Sequence, residues 1–248
     1  MYSYYSKISI GWAEKDITPN RPVLLWGQLH SRISESVHDP VMATALVLED
    51  GGEQAIMVSC DLVEIPEFVL DKCREEIYKQ IPEIDTNKVI LNATHTHTAP
   101  CLSDGIYPPP PDYVMKPSEY VDFFVNRVTE AVVEAWNNRS VGAVSWGLGH
   151  AVVGHNRRAA YFDDISLRSN YKRQDGAILD GTSKMYGNTN DPNFSHIEGY
   201  EDHSVDILFT WNESNNLTGV VINLACPSQV SEQENYISAD FWNEIRAE

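Results

Sequence analysis

The chain has 248 residues, 42% of them hydrophobic, and a formal charge of −18, with a sequence pI near 4.7. That length buries a sizeable core and favours one α/β domain. The charge argues against nucleic acid as a partner, since no basic stripe is present to neutralise phosphates, and an anionic membrane surface repels it.

The start, MYSYYSKISIGWAEKDITP, has no apolar leader core, which reads as cytoplasmic, or as secreted or periplasmic if a signal peptide has been removed. No run of about 18 apolar residues occurs, so no transmembrane segment is expected. KISIGWAEKDIT reads as a first strand, ended by Pro19. VMATALVLED and AIMVSCDL read as a hairpin around Gly51 and Gly52. IPEFVLDKCREEIYKQI then places Phe68, Val69, Cys73, Ile77 and Ile81 at helical spacing. NKVILNAT is a short, mostly apolar run, expected inside the sheet. Strand, helix and strand in that order make a βαβ unit with parallel strands.

APCLSDGIYPPPPDYVMKP is a long irregular loop, because four consecutive prolines join neither helix nor ladder. Ser118 is expected to cap a long helix with Phe124, Val128, Val132 and Ala135 on one face. VGAVSWGLGHAVV is another strand, and the polar span from Ala160 to Asp202 shows no period. HSVDILFTW and LTGVVINLACP form a second hairpin, and ISADFWNEIRAE begins an amphipathic helix. The expected fold is α/β: a mixed, partly parallel central sheet flanked by helices, with long irregular loops at the carboxyl ends of strands. Residues 1–248 read as a single catalytic domain forming the N-terminal part of a longer protein. The four cysteines are far apart in sequence, which disfavours a zinc knot, and Cys60 and Cys226 read as buried thiols.

NATHTHTAP carries the chemistry. His95 and His97 follow a predicted parallel strand at its carboxyl end, where open α/β sheets bind ligands. If strand geometry persists, residues i and i+2 share a face. Two imidazoles could then approach one metal, or one could ligate while the other moves a proton. Loop carbonyls that merely satisfy both rings are the alternative. Asp61 ends the neighbouring strand, where a carboxylate orients an imidazole, binds a metal or caps a turn. GHNRRAAY brings Asn156, Arg157 and Arg158 after another strand, and a pocket arginine suits a carboxylate, phosphate or oxyanion. His203 opens a further strand, and the loop tyrosine Tyr107 could line an apolar entrance. GxSxG, Walker A, HExxH and GxGxxG patterns are missing, which disfavours the common serine hydrolases, nucleotide phosphotransferases and NAD enzymes.

Taken in order, IGWAEKDITP, HDPVMATALVLEDGGEQAIMVSCDL, NATHTHTAP, HNRRAAY, GVVINLACPSQ and ISADF resemble the neutral, non-lysosomal ceramidases and their bacterial relatives. The resemblance implies a zinc amidohydrolase that cleaves ceramide to sphingosine and a fatty acid. It places His95 on zinc and His97 in the active site, and it matches Arg157 to the family arginine. Zinc in such a site polarises a carbonyl and lowers the pKa of bound water to about 7. The family's second zinc histidine falls where this chain reads Pro227 and Ser228, and His203 on the adjoining strand could take its place. Later glutamate and tyrosine ligands of the family fall beyond residue 248. The expected activity is hydrolysis of an amide or ester in a small-molecule or lipid-like substrate, with Asn156, Arg158 and Tyr107 contacting it. The alternative is a non-catalytic or metal-free binding relative on the same scaffold.

Overall fold

The computed structural model describes residues 8–171 and 181–248. Residues 1–7 of the N-terminal stretch read for a leader, and 172–180 of the aperiodic span, lie outside them. The chain gathers into two compact units: residues up to Trp146 with Leu208–Val221 and Pro227–Glu248, and Gly147–Ile207 with Ile222–Cys226.

In the first unit, β1 (Ile8–Asp16) is followed by three two-residue strands: β2 (Leu24–Leu25), β3 (Arg32–Ile33) and β4 (Ser36–Val37). β5 (Met42–Asp50) and β6 (Glu53–Cys60) form the expected hairpin, paired antiparallel from Asp50↔Glu53 to Ala43↔Cys60. α1 (Glu67–Gln80) then leads to β7 (Val89–Ala93), which runs parallel to β6. The βαβ unit is therefore present. α2 (Pro117–Asn137) and β8 (Ser140–His150) follow, and β12 (Ser204–Asn212) and β13 (Leu217–Leu224) come after the small strands of the second unit. β14 (Tyr236–Ile237) pairs in parallel with β4, and α3 (Phe241–Ala247) comes last. The large sheet has seven strands in the order β13-β12-β8-β1-β5-β6-β7.

β7 is thus an edge strand rather than an interior one, and Ile90 is half exposed. Its hydrogen bonds to β6, the buried side chain of Val89, the packing of Leu91 and Ala93 on the core and a bond from Arg74 to the Val89 carbonyl hold it. α2 packs on β1 and β5 and lies beside α1. Its buried stripe of Tyr120, Phe124, Val128, Val132 and Ala135 meets Ala43, Ala45, Val47, Ile56 and Val58 from the sheet. Burying one such large side chain contributes roughly 1.5–3 kcal/mol. Gly11 makes the approach possible, because a Cβ there would fall 1.8 Å from the Ala135 carbonyl oxygen. α2 starts at Pro117 with Lys116 as N-cap, ahead of the expected Ser118. Proline suits the first helical position, and the Glu119 side chain returns to the Lys116 N–H. On α1, Val69, Cys73, Ile77 and Ile81 are buried as expected, while Phe68 turns to solvent.

The second unit holds the three-stranded antiparallel sheet of β9 (Arg158–Tyr161), β10 (Ser183–Met185) and β11 (Phe194–Ile197), in the order β10-β9-β11. This structure lies in the span that showed no period. Its core is small: Ala159, Tyr161 and Ile165 with Phe194 against them. Arg168 ties its loops together through Asp163 and Asp191. Among the described residues, no helix is long and apolar enough to cross a membrane.

Candidate active site

β7 ends at Ala93, so strand geometry does not continue through the histidines. His95 instead takes a left-handed backbone, φ 62°. For a residue with a side chain this costs about 1–3 kcal/mol and tends to mark functional sites. The turn leaves His95 exposed and His97 buried, yet their ring centroids lie 4.9 Å apart, edge to face. The expected pairing of the two imidazoles is present, produced by a strained turn rather than by strand alternation.

His95 Nδ1 lies 2.7 Å from the Val63 carbonyl oxygen. A carbonyl only accepts, so Nδ1 carries the proton and the neutral ring presents the Nε2 lone pair. This is the posture of a metal-ligating histidine. His97 is held differently. The Gln229 amide nitrogen lies 2.9 Å from its Nε2 and 3.2 Å from its Nδ1. The Glu232 carboxylate is 3.7 Å from Nδ1 and accepts from the same Gln229 amide at 3.2 Å. Gly27, at φ 110°, underlies the ring, and a Cβ there would fall 2.4 Å from His97 Cγ.

The loop is fastened by hydroxyls. Thr96 and Thr98 both donate to the Ser238 carbonyl, at 2.9 and 3.1 Å, and Ser228 donates to the Thr94 carbonyl at 2.7 Å. Asp61 is fully buried at the end of β6. It accepts from Arg246 at 2.6 Å, from the Met42 N–H at 2.8 Å and from the Thr94 hydroxyl at 3.2 Å. Its link to the histidine loop thus runs through Thr94. Burial pushes its carboxyl up, against the pull of Arg246. Tyr107 donates its hydroxyl to the Gln28 carbonyl at 2.6 Å.

Asn156, Arg157, Arg158 and His203 belong to the second unit. Asn156 is used internally: its N–H donates to Glu201, its amide to the Glu198 carbonyl, and its Oδ1 accepts from the Arg158 N–H. Arg158 pairs with Glu198 and donates to Ser183, which makes it a structural ion pair. Arg157 is exposed; it donates to the Tyr186 hydroxyl at 2.6 Å and lies 5.0 Å over that ring. Among the described residues no carboxylate pairs with it, so its charge is available to an anion. Tyr186 itself is held at φ 54°. The His203 Nε2 is buried without a hydrogen-bond partner among the described residues.

Gln229, Glu232 and Gly27 escaped the sequence reading. They sit far from the histidines along the chain, and no local spacing marks them. Among the described residues, no three His, Cys, Asp or Glu side chains are grouped to hold a metal ion. A structural zinc takes four protein ligands and a catalytic one three. The described residues therefore do not amount to a zinc centre, although His95 is shaped as one ligand of it.

No family model matches the sequence, and no curated protein matches it either. Solved structures do. The neutral ceramidase from Pseudomonas aeruginosa superposes with a TM-score of 0.67 at 17% identity, over 94% of this chain and 34% of that one. A ceramidase structure described as complexed with C2 gives 0.65 at 18%, over 94% and 33%. The chain has the ceramidase fold. It spans about a third of the length of those chains. The ceramidase resemblance read from the motifs and the likeness of fold agree, and both run over nearly the whole chain.

Proposed function

We propose that this chain carries the histidine centre of a hydrolase that cleaves the amide of an N-acyl lipid, as its ceramidase neighbours' name indicates for them. One observation carries the reading: on the ceramidase fold, two imidazoles of different character meet at the carboxyl end of β7. Water adds to the acyl carbonyl, the C–N bond breaks, and a carboxylic acid and an amine leave. His97 takes the proton from water and returns it to the amine nitrogen. Glu232 faces the ring while it carries that proton, and Gln229 donates to whichever ring nitrogen is bare. His95 Nε2 is the imidazole offered to zinc. Asp61 steadies the histidine loop through Thr94.

The test is release of fatty acid from a short-chain N-acyl sphingosine in mixed micelles, with zinc supplied. We expect turnover by the wild-type chain and a loss of about 10²-fold or more in His97→Ala. Equal release by both would overturn the reading. A second reading, a binding relative without turnover, draws on the missing three-ligand group. It predicts saturable binding of the same lipid with no acid released.

A further inference from the structure

Arg32 is 6% exposed, and its guanidinium meets main-chain carbonyls from three separate segments. Nη1 donates to Glu234 at 2.6 Å; Nη2 donates to Trp26 at 3.2 Å and to His97 at 2.5 Å. Among the described residues no carboxylate lies in ion-pair range, and Nε has no partner. Burial alone lowers its proton affinity. Placing a cation there with the Glu232 carboxylate acting on it only from beyond ion-pair range is costly, and core packing does not call for it. A further hold on the His97 main chain, its N–H to the Ser228 carbonyl, spans 3.4 Å, beyond the usual range. Trp26 precedes Gly27, the residue beneath the imidazole. One guanidinium therefore fixes both the His97 backbone and the surface on which its ring lies. Only a planar fork with several fixed donors spans such carbonyls, which a lysine ammonium does not.

We infer that Arg32 is a positioning residue for His97, setting the imidazole's place relative to the reacting carbonyl. The inference rests on the reading of His97 as the proton-moving group. Misplacing a reacting group by about 1 Å costs about 10²-fold. Arg32→Gln and Arg32→Lys are compared with wild type for thermal midpoint, kcat and KM on the N-acyl lipid, and the His97 Cε1–H resonance, assigned with His97→Gln. We expect Arg32→Gln to lose about 10- to 100-fold in kcat with KM within about twofold. The His97 resonance should move while that of exposed His196 stays, and Arg32→Lys should recover only part of the rate. A folded Arg32→Gln with an unmoved His97 resonance and unchanged kcat would overturn the inference. If Arg32→Gln does not fold, the same resonance in Arg32→Lys decides: moved supports, unmoved overturns. If the wild-type chain turns over no amide, the proposed function fails, and the resonance still decides the role of Arg32.

Discussion

Gly27 shows how tightly a single residue is bound to the site. Its φ of 110° and the 2.4 Å approach to His97 leave no room for a methyl group. Gly27→Ala is expected to cost about 2 kcal/mol or more in urea unfolding, since both strain and displacement oppose it. It should also displace the His97 ring. The cysteines make a second residue-scale case. None of the four forms a disulfide. Burial pushes Cys73 up to about 12 and Cys101 up to about 11, and it raises Cys60 far as well. Thiolate is the reactive form, so at pH 8 these three should resist a disulfide reagent until the chain unfolds. Cys226 is only half-buried, a departure from its reading as a buried thiol, and is the one expected to react fast in the native chain. Rapid modification of three or more thiols would contradict this. At this scale His95 and His97 were visible because two imidazoles behind an apolar run call for partners. Arg32, Gln229 and Glu232 were not, because contacts across more than 60 residues of chain leave no local pattern.

The elements were easiest to read where period and length agreed. The β5–β6 hairpin, α1 and the buried face of α2 follow directly from apolar spacing. β7 was misplaced because an apolar five-residue run looks the same at an edge as in the interior, and only the pairing partners distinguish the two. β9–β11 escaped because three- and four-residue strands are too short to show alternation. α3 invites a test of its own. Its Arg246 pairs with fully buried Asp61 across 185 residues of chain. Burial raises that carboxyl, so the folded state binds the proton more tightly than the unfolded chain. Between about pH 4 and the raised folded value, this group's contribution therefore falls as pH rises. Arg246 holds that rise in check. Arg246→Met should then cost less at pH 4, where the raised carboxyl takes its proton more readily, than at pH 7.5, where a buried carboxylate left alone costs about 3 kcal/mol. Asp61→Asn/Arg246→Met should recover most of it. Urea unfolding at both pH values checks the sign, and an equal loss at each would refute the account.

For the molecule as a whole, the order of the motifs pointed to the ceramidase fold before any coordinates, and the structural likeness over 94% of the chain agrees. What the order could not convey was the ligand count around His95, which depends on side chains from separate segments converging. Elemental analysis of zinc-loaded protein addresses that count: whatever zinc the wild-type chain binds should be lost in His95→Ala. Equal metal in both would remove His95 from the ligand set. The central claim, amide hydrolysis at the histidine centre, is tested most directly by quantifying both products from an N-acyl sphingosine, for the wild-type chain and His97→Ala side by side. The account predicts equal amounts of fatty acid and free amine from the wild type, and at most about a hundredth of that rate from the variant. Binding of the lipid with neither product formed, or equal rates from both proteins, would contradict it.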